Sequence, residues 1–350
     1  MAKNILFIPI GKVHRASSRF RVWQMMPHLE AKGYQCRTVT YIISKGGGGL
    51  MGALKRKFRS RFVVEKEIRD QLDWADVVVI QESLLSMGLL KLLKKLNKKV
   101  IFDFSDPVHL LHLDTGLSLL KRSLFYVTDR RRFYKTLDIA KHIVVENKSL
   151  AALKSNKADA TVMRGPIDCN HFAPFSKDNK QTVTIGWTGS PSTYSFIEPL
   201  LAKIDDLGSK MKLEVVMVGS GKTNVELKNV DVKCIEWSLE NERVTIPTFD
   251  IGLFNLADTE WDKARGGGKL FVYMACGVPF ISPDLGIGRQ VYNESGAGVL
   301  VGANDNWINT LEQLVTDKAT LTKLGVTARE FALDNYSHES NIETWVKILG

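Results

Sequence analysis

Twelve short β-rich apolar runs, separated by stretches with helical patterning, constrain this chain more than any other feature. In the first half they read as strands at Asn4–Ile10, Cys36–Tyr41, Val77–Gln81, Lys99–Phe104, His142–Glu146 and Ala160–Met163. In the second half they read as strands at Thr182–Trp187, Leu213–Val218, Val232–Trp237, Asp250–Phe254, Val278–Ser282 and Val299–Val301. Most are rich in Val and Ile and nearly continuous, the pattern of strands covered on both faces of a parallel sheet. Helical patterns such as Ser18–Lys32 and Leu84–Leu96 fill the gaps. The chain is therefore α/β, built of βαβ units.

The rhythm breaks once. From Ile167 to Lys180, entered through Pro166, Pro174 and the polar run Ser176–Lys180 mark a linker. At 350 residues the chain also exceeds what one core usually serves. The expectation is two Rossmann-like, doubly wound parallel-sheet domains, residues 1–175 and 181–335. Residues 336–350 are expected to form a C-terminal helix packing back on the first. Ligands of open α/β sheets bind at the carboxyl ends of the strands, so the two domains are expected to face each other across a cleft.

Charge is divided unevenly. Residues 1–180 carry 33 Lys and Arg against 16 Asp and Glu, whereas residues 181–350 carry 15 against 22. A basic first half points to an anionic partner there: a membrane surface, a phosphorylated acceptor or nucleic acid. Cys36, Cys169, Cys234 and Cys276 are scattered without zinc or redox spacing, so reduced, buried thiols are expected. No apolar run is long enough to span a bilayer, and Met1–Ile5 leads directly into a strand pattern without signal-peptide anatomy. A cytoplasmic location follows as an expectation.

The densest motif runs from Asp250 to Pro279: a strand, a polar loop, the triplet Gly266-Gly267-Gly268, a helix, and a Gly-x-Pro stop. Glycines let backbone amides approach a ligand, and the helix start they open suits an anion. Lys263, Arg265 and Lys269 add positive charge, a combination that fits a diphosphate; the plain alternative is a Gly loop with solvated cations. A second turn, Thr188-Gly189-Ser190, closes the first strand of the second half. It reads either as a phosphate-holding turn of amides and hydroxyls or as a βα turn with an N-cap. Gly219-Ser220-Gly221-Lys222-Thr223 lacks the earlier glycine of a phosphate loop, because Val216 stands there.

These segments resemble the retaining family 4 glycosyltransferases of GT-B fold. The stretch Lys269-Leu270-Phe271-Val272-Tyr273-Met274-Ala275-Cys276-Gly277-Val278-Pro279 is similar to that family's donor-site helix. Similar subgroup segments are Ile185–Thr193, Ser17-Ser18-Arg19-Phe20-Arg21 and Asp103-Phe104-Ser105-Asp106-Pro107. The resemblance implies transfer of a sugar, with retention of configuration, from a nucleotide-sugar donor to an anionic, lipid-linked or glycan acceptor. It implies donor contacts at Thr188, Gly189, Ser190, Gly219, Lys263, Gly267 and Gly268. Trp237 is read either as flanking the base or as a core tryptophan. Lys269 and Arg265 are candidates to neutralise the departing nucleotide, so no metal or cofactor is required. His109 and Asp106 are the candidate catalytic groups of the first domain, and His14, Arg19 and Arg21 the candidate acceptor contacts. One departure stands out. Where many members carry two glutamates, this chain has Ala264 and Val272, and neither can hydrogen-bond a ribose hydroxyl.

Leu54–Phe62 places five basic residues around Phe58 and Phe62, which share a helical face. Together with Lys121–Tyr126 and Arg130–Arg132 it resembles an interfacial membrane helix, giving a peripheral site on the inner face of the cell membrane through Lys55–Arg61. An ordinary amphipathic helix is the alternative. Gly46–Gly49 are expected to make this segment mobile. A nucleotide-sugar epimerase or phosphorylase and a non-enzymatic anion or nucleic-acid binder are the rival functions. A dinucleotide dehydrogenase is disfavoured, because no Gly-x-Gly-x-x-Gly follows an early strand.

Overall fold

The computed structural model describes residues 3–42, 50–110, 119–175, 181–302 and 306–350, with the backbone alone for 50–58, 119–122, 124 and 125. Gly46–Gly49 and Ser176–Lys180 lie outside the described residues, as do the side chains of Lys55, Arg56 and Lys57. The chain divides into two units. The first comprises Met1–Pro166, Ala264–Gly266 and Asn341–Gly350, and the second Ile167–Lys263 and Gly267–Ser340.

Each apolar run forms a strand. The first unit holds β1 (Asn4–Pro9), β2 (Gln35–Thr38), β3 (Val77–Gln81), β4 (Lys99–Phe104), β5 (His142–Val145) and β6 (Asp159–Val162). They form one parallel sheet of order β2-β1-β3-β4-β5-β6. Alternate residues feed opposite faces. Leu6, Ile8, Val78, Ile80, Phe102 and Val145 pack beneath Ile68, Leu89, Phe133 and Leu137 from three helices. On the other face Ile5, Phe7, Val77, Val79, Ile101 and Val144 meet Val22, Met25 and Leu29, and also Ile342, Trp345, Ile348 and Leu349. The near-continuous hydrophobicity of the strands thus has its cause in two covered faces. The helix His338–Leu349 belongs to this core through its last two turns, and Trp345 is fully buried. Burying such a side chain is worth roughly 2–3 kcal/mol.

The second unit holds β7 (Val183–Thr188), β8 (Leu213–Val218), β9 (Asp231–Ile235), β10 (Ile251–Leu253), β11 (Phe280–Pro283) and β12 (Gly298–Val301). They form a parallel sheet of order β12-β11-β10-β7-β8-β9. Counted from its own first strand this is the Rossmann order 3-2-1-4-5-6, whose direction of winding reverses between β7 and β10. The corresponding reversal in the first unit falls between β1 and β3.

Two expectations are corrected. Ser18–Lys32 is not one helix: a short turn at Ala16–Ser18 runs into a π-helical turn, Arg19–Trp23, and a new helix forms over Met26–Ala31. Pro27 sits in the first turn of that helix, where its missing N–H is harmless, and could not have continued an earlier one. Residues 167–175 lie in the second unit, not the first. Ile167 N–H donates to Tyr336 O at 2.7 Å, and the Arg329 guanidinium donates to the carbonyls of Cys169, Phe172 and Ala275 at 3.0, 2.9 and 2.5 Å.

Candidate functional site

In the second unit the carboxyl end of β7 is fixed from below by an aromatic side chain. Gly186 and Gly252 are partners on adjacent strands, and a Cβ on either would overlap the ring of Phe249 or Tyr273. That slot lets Tyr273, on the helix Gly268–Ala275, pass against the sheet. Its hydroxyl accepts the Thr188 N–H at 3.0 Å and donates to Leu253 O at 3.3 Å, tying β7 to β10 at the winding reversal. Burial holds the Tyr273 phenol protonated, well above its ordinary range.

Above this tie the turn Thr188-Gly189-Ser190 meets the loop after β8. Gly189 N–H donates to Val218 O at 2.9 Å, and Ser190 N–H donates to Thr193 Oγ1 at 3.1 Å. Gly219 has φ +80°, and a Cβ there would collide with Gly189 O. Only glycine permits that approach. Trp237 lies alongside, 3.1 Å from the same Cβ position. The Trp187 indole packs against Gly189, and Lys269 Nζ stands 4.6 Å above its ring centroid. Gly267 precedes the helix without a side chain to cap it, and the space around Gly268 is open. First-turn N–H groups have no partner within their own helix, so an anion there would find N–H donors and the positive end of the helix dipole. The half-buried ammonium of Lys269 is one residue further on.

At the carboxyl edge of the first sheet a different chemistry is assembled. Arg21 is 1% exposed and ion-pairs with Asp103 through Nε and with Glu146 at 3.5 Å. It also donates to Met163 O and Gly165 O at 3.2 and 2.6 Å. Burial pushes the Asp103 carboxyl up to about 6, against the pull of Arg21. Glu82, directly after β3, is 2% exposed and has φ +52°. Its Oε1 accepts the Ser105 N–H at 3.2 Å and the Ser105 hydroxyl at 2.5 Å, and its Oε2 accepts the Ser17 hydroxyl at 3.0 Å. Asp106 accepts the Gly266 N–H at 3.2 Å. Burial and then Glu82 push the Asp106 carboxyl upward, opposed by Arg265.

No family model matches the chain, and no curated protein matches it. Solved structures do. A sucrose-phosphate synthase from Thermosynechococcus elongatus superposes with a TM-score of 0.72 at 14% identity, covering 99% of this chain and 98% of its own. HepE from Anabaena, solved with UDP and glucose, gives 0.63 at 11% identity over 100% and 99%. A Listeria monocytogenes protein assigned as a UDP-N-acetylglucosamine 2-epimerase gives 0.62 at 12% identity over 99% and 95%. The fold is GT-B. At these identities the likeness shows the GT-B architecture alone, two Rossmann-like units along one chain.

Within this GT-B chain the second unit brings Thr188, Gly189, Ser190, Gly219, Trp237 and Lys269 to one end of its sheet. The expected role of the amides at 188–190 needs correction, because each of the three N–H groups has a protein partner. Lys263, on the short helix Glu260–Ala264, is paired with Asp258 at 2.6 Å and Glu260 at 3.8 Å, and these partners raise its pKa. In the first unit Arg19 and Arg21 are corrected from acceptor contacts to buried structural residues. Arg19 is 2% exposed, lies over Phe20 at 4.6 Å and donates to Val13 O at 3.4 Å. His14 is exposed. His109 is buried and stacked on Phe133 at 5.0 Å, and burial followed by Arg130 lowers its pKa, keeping the imidazole neutral. Arg265, in the first unit, is the cation facing Asp106.

Glu82 and Arg15 were missed by motif reading. The one signal was Gln81-Glu82-Ser83, a polar run closing the most apolar strand of the chain. Among the described residues no group of three His, Cys, Asp or Glu is placed to hold a metal ion.

Proposed function

We propose that this chain is a glycosyltransferase that takes a nucleotide-sugar donor on its second unit and transfers the sugar, with retention, to an acceptor on its first. The observation that carries this reading is Lys269 stacked on Trp187, beside the uncapped glycine start of the helix Gly268–Ala275, at the winding reversal of a Rossmann sheet. A diphosphate is the group that best matches an ammonium beside a glycine-led helix start, where the helix dipole favours negative charge. The GT-B likeness to HepE, solved with UDP and glucose, supports the same ligand class.

In the proposed reaction the bond from the anomeric carbon to the diphosphate oxygen breaks, and a bond to the acceptor hydroxyl oxygen forms on the same face. The hydroxyl proton leaves with the diphosphate. Lys269 offsets the charge that develops on the departing oxygen. Stabilising charge where it develops supplies most of the rate in such a site. With Ala264 and Val272 unable to hold a ribose, donor selection falls to the Gly189, Gly219 and Trp237 loops.

The first unit is proposed to dock on an anionic membrane surface. Phe62 and Val63 are 70% and 57% exposed on the helix Leu50–Leu72, beside exposed Arg59 and half-buried Arg61. Tyr126 and Val127 are 47% and 66% exposed on Leu119–Ile139, near Arg130. Among the described residues no helix is long and apolar enough to cross a membrane. A cytoplasmic enzyme peripheral to the inner membrane face is the corresponding location.

Isothermal titration with UDP, GDP, ADP and CMP sugars tests the donor reading: one nucleotide series should bind, and Lys269→Met should lose it. Binding of none would overturn the reading. The likeness to the Listeria protein supports an epimerase as second reading. Donor consumption that needs no acceptor and releases no free nucleotide would favour it.

A further inference from the structure

The winding reversal of the first sheet, between β1 and β3, is the position where open α/β sheets bind ligands. Two residues meet there. Arg15, in the loop after β1, is an exposed guanidinium with 52% of its side chain accessible, and its Nη2 lies 3.8 Å from Glu82 Oε2. Glu82, directly after β3, is buried and held in the left-handed region. A non-glycine residue there costs of order 1–3 kcal/mol and persists only where its surroundings fix it, which is common at ligand sites.

The surroundings do fix it. Each Glu82 oxygen is assigned to a different loop: Oε2 to Ser17 after β1, Oε1 to the backbone and hydroxyl of Ser105 after β4. The carboxylate is therefore satisfied by neutral donors and orients Arg15 at ion-pair distance without consuming its N–H fork. The arginine stem folds over Gly11, where a Cβ would stand 2.6 Å from Arg15 Cβ and Cδ. Asp106, a further acid of this edge, is engaged by the Gly266 N–H and feels both Arg265 and Arg15 electrostatically. Lys12 and His14 flank Arg15 and are exposed. The surface at the reversal is thus a guanidinium with the Lys12 ammonium near it in the same loop, backed by a carboxylate that is already hydrogen-bonded.

We infer that Arg15, oriented by Glu82 as its positioning residue, binds a phosphate group of the acceptor at the β1/β3 reversal. This deepens the proposed function and rests on it only for the word acceptor; the anion site itself does not depend on the donor. A planar guanidinium matches two phosphate oxygens by paired N–H donors, which an ammonium cannot do. Arg15 thereby takes the role that Arg19 and Arg21, being buried, do not have.

The test uses the full chain and four probes: glucose 6-phosphate, inorganic phosphate, glucose, and vesicles containing phosphatidic acid. Calorimetry should show both soluble phosphates binding and glucose failing to bind. Arg15→Gln should weaken phosphate binding by about tenfold or more, and Arg15→Lys by less. Glu82→Gln should weaken it by about threefold alone and add nothing in the Arg15→Gln background, which separates positioning from general loss of structure. Arg15-dependent binding confined to vesicles would identify a lipid headgroup as the source of the phosphate, and binding of glucose 6-phosphate a soluble one. Wild-type affinity in Arg15→Gln, or equal binding of glucose and its phosphate, overturns the inference. Nucleotide binding measured on the same variants keeps the two readings apart. Retained nucleotide binding with no phosphate site defeats this inference alone, and the reverse outcome defeats the donor reading alone.

Discussion

The Tyr273 hydroxyl accepts the N–H of Thr188 at 3.0 Å, so a side chain from the candidate donor helix sets the last peptide of β7. Tyr273→Phe leaves that buried N–H without its partner. A loss of about 1–3 kcal/mol of stability is expected by chemical denaturation. Nucleotide affinity should fall as well, because the turn at Gly189 loses its anchor.

Lys269 stands 4.6 Å above the Trp187 ring centroid, whereas Lys263 is ion-paired with Asp258 at 2.6 Å. Lys269→Met should therefore keep the thermal midpoint and weaken nucleotide-diphosphate binding by about tenfold or more. Lys263→Met should change binding far less. Equal effects of the two would remove the distinction drawn between them.

Arg21→Met should be strongly destabilising, by about 3–5 kcal/mol, because it strands Asp103 and Glu146 without their cation. The defect has a pH dependence whose sign is fixed. A carboxyl whose folded pKa is raised above its unfolded value binds protons more tightly when folded, so stability is gained on acidification and lost as pH rises. Asp103 stands near 6 even with Arg21 present, and without it stands higher. Denaturation of the variant at pH 5 and pH 8 should show the smaller deficit at pH 5.

Burial pushes the Cys36 thiol up to about 12 and the Cys169 thiol up to about 11. Both are free thiols. At pH 8 the thiolate is then about a hundredfold to a thousandfold scarcer than in an unfolded chain. Alkylation by iodoacetamide, followed by peptide mass, should be slow at both positions in the native chain and fast in denaturant.

The strands were legible because a doubly covered parallel sheet leaves one unmistakable mark, an apolar run closed by a turn; Val77–Ile80 is such a run. The turn at Gly189 was legible for a similar reason, since Gly189 and Gly219 mark a place where two loops of backbone come close. The buried arginines were not. Arg19 and Arg21 read as acceptor contacts at the start of a helical pattern, and nothing local reveals that a π-helical turn rotates them inward. The acidic partners of Arg21, Asp103 and Glu146, stand 82 and 125 positions away from it. Glu82 was hidden for another reason: a positive φ at a glutamate is imposed by Ser17 and Ser105, not by its own propensity. The break before Met26 was readable from Pro27, but an apolar periodicity ran across it.

Trp345 fills the face of the first sheet that Ile5, Phe7, Val77 and Val79 present. In a growing polypeptide those strands leave the ribosome early, whereas the tryptophan follows only after the whole of the second unit. For that interval the sheet has an open apolar flank, the kind of surface that chaperones recognise and that drives premature association. Vectorial synthesis would thus make the order of completion opposite to the order of translation: the second unit, uninterrupted apart from Ala264–Gly266, closes first, and the earliest-made strands are sealed last.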